Sequence, residues 1–158
     1  MNRNNKKVTK VRLACDFETV VTGDKHQDET SVWLGGGIDL EAENKPEFVR
    51  TVGSIEDFFE KYLYTYKCKT IAYFHNEKFD GSFILDYLLK NGYSISKIIV
   101  NDEEKMSSAE KDLKNNEFVC LISTKGIWYT IKIKHKSHIY EIRDSYKLLP
   151  FSLKKIGK

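Results

Sequence analysis

The first apolar run is Val11-Arg12-Leu13-Ala14-Cys15-Asp16-Phe17-Glu18-Thr19, which presents two acids near its end and reads as a strand. Residues 31–40 read as a second strand. Its Gly35-Gly36-Gly37 run lacks the GKS/T or GxGxxG setting of a phosphate cradle and indicates a bulge or a closely approached strand. Residues 47–52 form a short third strand after a turn at Asn44-Lys45-Pro46. Ser54 then opens a helix, with Asp57 three residues on in a variant of the capping box. Ile55, Phe58, Phe59, Tyr62, Leu63 and Tyr66 recur at helical spacing and make one core-facing stripe. Residues 69–74 are a buried strand running into His75-Asn76, where a second helix starts. That helix buries Phe79, Phe83, Ile84, Tyr87 and Leu88 and stops at Gly92.

Residues 96–100 form a short strand. The stretch 101–116 is the most charged and least apolar, and is expected to be a solvated loop or frayed helix inserted at the surface. Residues 117–123 and 127–135 flank Thr124-Lys125-Gly126 as a hairpin. In its second strand Tyr129, Ile131 and Ile133 face one way, and Thr130, Lys132 and Lys134 face the other, toward solvent. Residues 138–144 are a last strand, and 151–156 open a helix after Pro150. Residues 1–10 read as a flexible basic tail.

At 158 residues, 41% apolar and 13% aromatic, the chain fits one globular domain with a real core. A net charge of +3 from 26 basic and 23 acidic residues permits a nucleic-acid partner without requiring one. Cys15, Cys68 and Cys120 are odd in number and lack CxxC spacing, so they read as buried thiols of a reducing compartment. No apolar stretch long enough for a signal peptide or a membrane span is present. The expected setting is the cytoplasm, or that of an infected host cell.

Two places carry chemistry. On a strand Asp16 and Glu18 point the same way, with Cβ atoms about 6–7 Å apart. Like charges that close need a proton or a cation, and magnesium or manganese suits carboxylates. Asp80 lies near the start of the second helix, beside Gly81, where free N–H groups and the helix dipole favour an ionised carboxylate. Both places put acids just after a strand, where ligand sites of α/β sheets gather. Three converging carboxylates suit a two-metal phosphoryl-transfer site.

These residues resemble a family. Asp16-Phe17-Glu18-Thr19 is similar to the first exonuclease motif of B-family DNA polymerases. Tyr73-Phe74-His75-Asn76-x-x-Phe79-Asp80-Gly81-x-Phe83 resembles the second, in the form of protein-primed polymerases of bacteriophages and linear plasmids. Asp144-Ser145-Tyr146-Lys147-Leu148-Leu149-Pro150-Phe151 resembles a segment those enzymes carry downstream. The resemblance implies an α/β, ribonuclease-H-like (DnaQ-like) exonuclease domain over 11–158, a mixed sheet flanked by helices and lacking its C-terminal helix. It implies 3′–5′ proofreading of single-stranded DNA. Asp16, Glu18 and Asp80 would hold two Mg2+ or Mn2+ ions, with Asp16 shared. Thr19, Tyr73, His75, Asn76, Phe79, Phe83, Ser145 and Tyr146 would contact the strand. The remainder of a polymerase and a terminal priming protein are the implied partners, with no membrane and no small-molecule cofactor. The family's third motif, YxxxD on a later helix, is absent. Tyr140 and Asp144 have that spacing, but in a strand-like run. The 158 residues are therefore expected to be a catalytically incomplete fragment with weak or no cleavage. The alternative is a non-catalytic single-strand-binding module on the same fold.

Overall fold

A computed structural model describes residues 10–23, 29–40, 54–75, 77–124 and 128–145, apart from the side chains at 29, 77–79, 128 and 129. The expected strand at 47–52, the helix at 151–156 and the basic tail short of Lys10 lie outside the described residues. In chain order the elements are β1 (Lys10–Thr22), β2 (Glu29–Asp39), α1 (Ile55–Lys61), β3 (Lys69–Phe74), α2 (Glu77–Lys90), β4 (Ser94–Val100), α3 (Glu103–Asp112), β5 (Glu117–Ile122), β6 (Trp128–His135) and β7 (His138–Asp144). A short 3-10 turn, Leu63–Thr65, follows α1.

The strands form one seven-stranded mixed sheet in the order β2-β1-β3-β7-β6-β5-β4. β1, β3 and β7 are parallel, whereas β2 runs antiparallel to β1 and β6 antiparallel to β7. The C-terminal ends of three central strands therefore share one sheet edge, the position where a crevice can form.

One face of the sheet is covered by α1 and α2. Val11, Leu13, Cys15 and Phe17 of β1 are buried, while Arg12, Ala14, Asp16 and Glu18 between them are exposed. Phe17 packs edge-on against Phe58 at 4.9 Å and tilted against Phe74 at 4.9 Å. The Ser54 hydroxyl accepts the Asp57 N–H at 3.1 Å, which starts α1 as its sequence indicates. Gly92, at φ 79°, ends α2 through the Tyr93 N–H on the Leu88 carbonyl at 2.9 Å. The glycines of β2 have a packing reason. A Cβ on Gly37 would come within 2.6 Å of the Tyr62 ring and 2.9 Å of the Cys15 sulfur. The strand is also bulged, with its register shifting between Glu18 and Thr19 of β1.

The other face corrects two expectations. The charged stretch 101–116, expected as a solvated loop or frayed helix, holds the capped and half-buried helix α3. Asp102 caps α3 by accepting the Lys105 N–H at 2.8 Å, and Met106, Ala109 and Leu113 bury themselves against Ile99, Val119 and Leu121. Lys132 and Lys134 accordingly face α3 rather than water. Lys132 is 7% exposed and its Nζ lies 2.5 Å from Glu110 Oε2, while Lys69 reaches the other Glu110 oxygen at 3.1 Å. Lys134 donates to the Leu113 carbonyl at 2.7 Å. A buried ammonium is tolerated only when paired, and α3 supplies the pair.

Candidate active site

The parallel register fixes what meets at the shared edge. Ala14 of β1 lies opposite Tyr73 of β3, and Phe74 lies opposite Asp144 of β7. Asp16 and Glu18 thus project from β1 just beyond the end of its pairing with β3. The Phe17 N–H donates to Asp16 Oδ1 at 3.0 Å. Asp80, in the first turn of α2, is only 5% exposed.

Asp80 is pushed up to about 7, first by burial and then by the negative charges of Asp16, Asp144 and Glu18. The helix start was expected to keep this carboxylate ionised. Desolvation and three like charges outweigh the dipole, and the group holds its proton to near neutrality. Asp16 is also held above the usual carboxylate range, chiefly by partial burial and then by Glu18. The Phe17 N–H and His75 oppose this. The acids predicted from sequence therefore share one electrostatic neighbourhood. Among the described residues, no three His, Cys, Asp or Glu side chains stand as a ready-made metal-ligand group.

Asp144 is a fourth acid of this neighbourhood that the sequence reading did not place in the site. It is 8% exposed at the end of β7. Its position opening the Asp144-Ser145 motif was the available signal. Tyr140, four residues earlier, does not accompany it. That ring is buried in the core, with its hydroxyl donating to the Tyr66 carbonyl at 2.8 Å. The Tyr140–Asp144 spacing thus lies on a strand, as the sequence suggested.

The predicted strand-contacting residues separate into three groups. His75 and Ser145 come together from distant segments, with His75 Nδ1 3.2 Å from Ser145 Oγ. The Ser145 hydroxyl donates to the Phe74 carbonyl at 3.1 Å, so the imidazole Nδ1 is assigned as the protonated nitrogen. Thr19 and Tyr73 are half-buried at the same edge, whereas Phe83 is half-buried against the main core. Asn76, Tyr146 and the side chain of Phe79 lie outside the described residues. A cavity of about 350 Å3 opens between α3 and the central strands, lined in part by Met106, Lys132, Glu141 and Arg143. It reaches the acidic edge only through Tyr73 and Asp144. Its cations are occupied, with Lys132 on Glu110 and Arg143 on Glu141.

The Asp80 shift makes metal-free stability depend on pH. Folded Asp80 keeps its proton to about pH 7, whereas an unfolded aspartate loses it near pH ~3.9. Between those values the folded chain binds more protons, so stability is greatest at the acid end and falls as pH rises through the window. Asp80→Asn removes this loss. In EDTA its melting temperature should gain on the unaltered chain from pH ~4 to ~7 and then level off. A difference constant across that range would contradict the assignment.

Residues 62–158 match the family described as DNA polymerase type B, organellar and viral. The chain belongs to that family. The type B relatives include the DNA polymerases of Bacillus phages PZA and phi29, each 33% identical over 151 residues, covering 92% of this chain and 22% of theirs. The DNA polymerase of Streptococcus phage Cp-1 is 29% identical over 150 residues. Among solved structures, phi29 DNA polymerase in an orthorhombic crystal form superposes with a TM-score of 0.68 at 29% identity, covering 94% of this chain and 23% of that one. Phi29 DNA polymerase complexed with primer-template DNA gives 0.68 at 28% identity. The chain therefore spans about a fifth of the length of these type B polymerases, and the matched part is the N-terminal region, with its ribonuclease-H-like exonuclease fold. Among the described residues no helix is long and apolar enough to cross a membrane.

Proposed function

We propose that this chain is the N-terminal 3′–5′ proofreading exonuclease portion of a DNA-directed DNA polymerase that works in protein-primed replication. The observation that supports the proposal is that Asp16 and Glu18 act electrostatically on Asp80, adding to the burial that keeps it protonated. Hard oxygen donors with uncompensated negative charge fit hard divalent cations. Asp16, Glu18 and Asp80 would hold two Mg2+ or Mn2+ ions, with Asp16 shared. Once bound, such ions activate water and neutralise charge on the scissile phosphate.

The remaining work falls to side chains of this chain. Asp80, which keeps its proton first through burial and then through its acidic neighbours, would give that proton up if it held a cation. His75, fixed through Ser145, and half-buried Tyr73 and Thr19 hold the 3′ end of a single strand at the edge. Asn76, Phe79, Phe83 and Tyr146 are proposed to extend that contact. The sole YxxxD of the 158 residues is on β7, with its tyrosine committed to the core. Cleavage by these residues alone is therefore expected to be slow. A solved structure of phi29 DNA polymerase is a complex with primer-template DNA. For this chain DNA, a terminal priming protein and a cytoplasmic setting are part of the proposal.

The lack of a ready-made ligand group among the described residues favours a second reading, a single-strand-binding module without catalysis. Manganese calorimetry separates the two. The exonuclease reading expects manganese binding that releases a proton below pH ~7 and that Asp16→Ala abolishes. Oligothymidylate binding in EDTA, with no manganese uptake, would establish the second reading instead.

A further inference from the structure

The bulge in β2 places an aromatic ring beside the acids. Gly35 faces the helices, since a Cβ there would meet Phe17 and Phe58 at 3.2 Å. Val32 also faces them, at 6% exposure in the same core. In a regular strand two positions three apart cannot share a face. The register shift resolves this. Glu18 pairs with Leu34 and Thr19 pairs with Val32, leaving Trp33 as the extra residue. Trp33 and Leu34 both lie between inward-facing neighbours, and so both oppose Glu18 on the outer face of the sheet. That face is the one on which Asp16 and Glu18 are exposed. Side chains directly opposite one another across strands have Cβ atoms about 5 Å apart.

Trp33 keeps a large part of its surface in solvent at this position. It is 43% exposed, with Val20 of the same hairpin also exposed at 39%. The residue opposite Asp16 is Gly36, which adds no side chain over that acid. An exposed π-face opposite Glu18, on the sheet face that also carries Asp16, has the form of a stacking platform for a base whose phosphate lies at the acids.

We infer that Trp33 is a substrate-positioning residue, stacking on a nucleobase at the 3′ end of a single strand whose terminal phosphodiester sits at Asp16 and Glu18. The inference rests on the proposed exonuclease reading and adds to it the residue that grips the base. Stacking is indifferent to base identity, because every base has a π-face. The grip therefore suits removal of any terminal nucleotide.

The test is anisotropy of a labelled oligothymidylate with a free 3′ end, in calcium, against the 158-residue chain. Trp33→Ala should weaken binding about tenfold, Trp33→Phe should recover most of the loss, and Trp33→Leu should not. Abasic nucleotides at the 3′ end should weaken the unaltered chain about tenfold and leave Trp33→Ala unchanged. A merely structural tryptophan would not produce that non-additivity. The Leu and Phe variants retain bulk at the bulge and keep the comparison valid if the alanine variant does not fold. Equal binding by the unaltered and Leu chains, or an abasic penalty undiminished without Trp33, overturns the inference and leaves the exonuclease reading standing. No binding by the unaltered chain overturns both.

Discussion

Asp16→Ala should reduce 3′-end trimming by on the order of a hundred- to a thousandfold, the usual loss when one preorganised electrostatic group is removed from a reaction centre. Asp16 carries this weight for a geometric reason. It projects from β1 just past the last β1–β3 pair, Ala14 and Tyr73, and its charge acts on Asp80 more strongly than that of Asp144 or Glu18. Removing it should also lower the Asp80 pKa toward the ordinary range, since one repelling charge is gone. The rate is measured with excess protein over a 3′-labelled oligothymidylate in manganese, so that slow cleavage by the 158 residues is captured. Trimming that proceeds equally in the alanine chain would mean that the acids at this edge are not the reaction centre.

Phe58→Ala should cost about 3–5 kcal/mol, the range for emptying a fully buried phenylalanine site. Phe58 is 0% exposed and touches Phe17, Phe59, Tyr62 and Phe74 by its ring. Those partners come from β1, α1, the turn after it and β3, so the surroundings cannot collapse without moving several elements. A loss of that size is a large share of the ~5–15 kcal/mol that holds an ordinary domain folded. The effect should also reach the site, because Phe17 stands between Asp16 and Glu18 and packs edge-on against Phe58. Urea unfolding with and without manganese checks both parts. A loss below ~1 kcal/mol would show that the ring is not the keystone its contacts indicate.

Elements governed by neighbouring residues were legible in the sequence. β3 and β7 begin and end where the apolar runs do. Ser54 and Gly92 cap their helices because a hydroxyl acceptor and a positive φ are local properties. α3 was not legible. Met106, Ala109 and Leu113 have helical spacing, but they sit among so many charges that the stretch reads as solvated until β4 and β5 offer an apolar surface. The solvent-facing assignment of Lys132 failed for the same reason, since a helix from elsewhere covers it and brings Glu110. The glycines of β2 indicated a bulge or a close approach but not its place, because the bulge at Trp33 exists only as a register against β1.

The sequence by itself determined that acids follow strands at two places, that the strands are buried, and that the motifs are those of type B polymerases. Tertiary structure alone decided that Asp144 joins the other three acids, that Trp33 stands on the face of Asp16 and Glu18, and that Asp80 keeps a proton its helix position would release. The division has one physical cause. Capping and periodicity act between residues a few positions apart. Desolvation and Coulomb repulsion act between whatever groups the fold brings together, and here those groups come from separate strands and a helix.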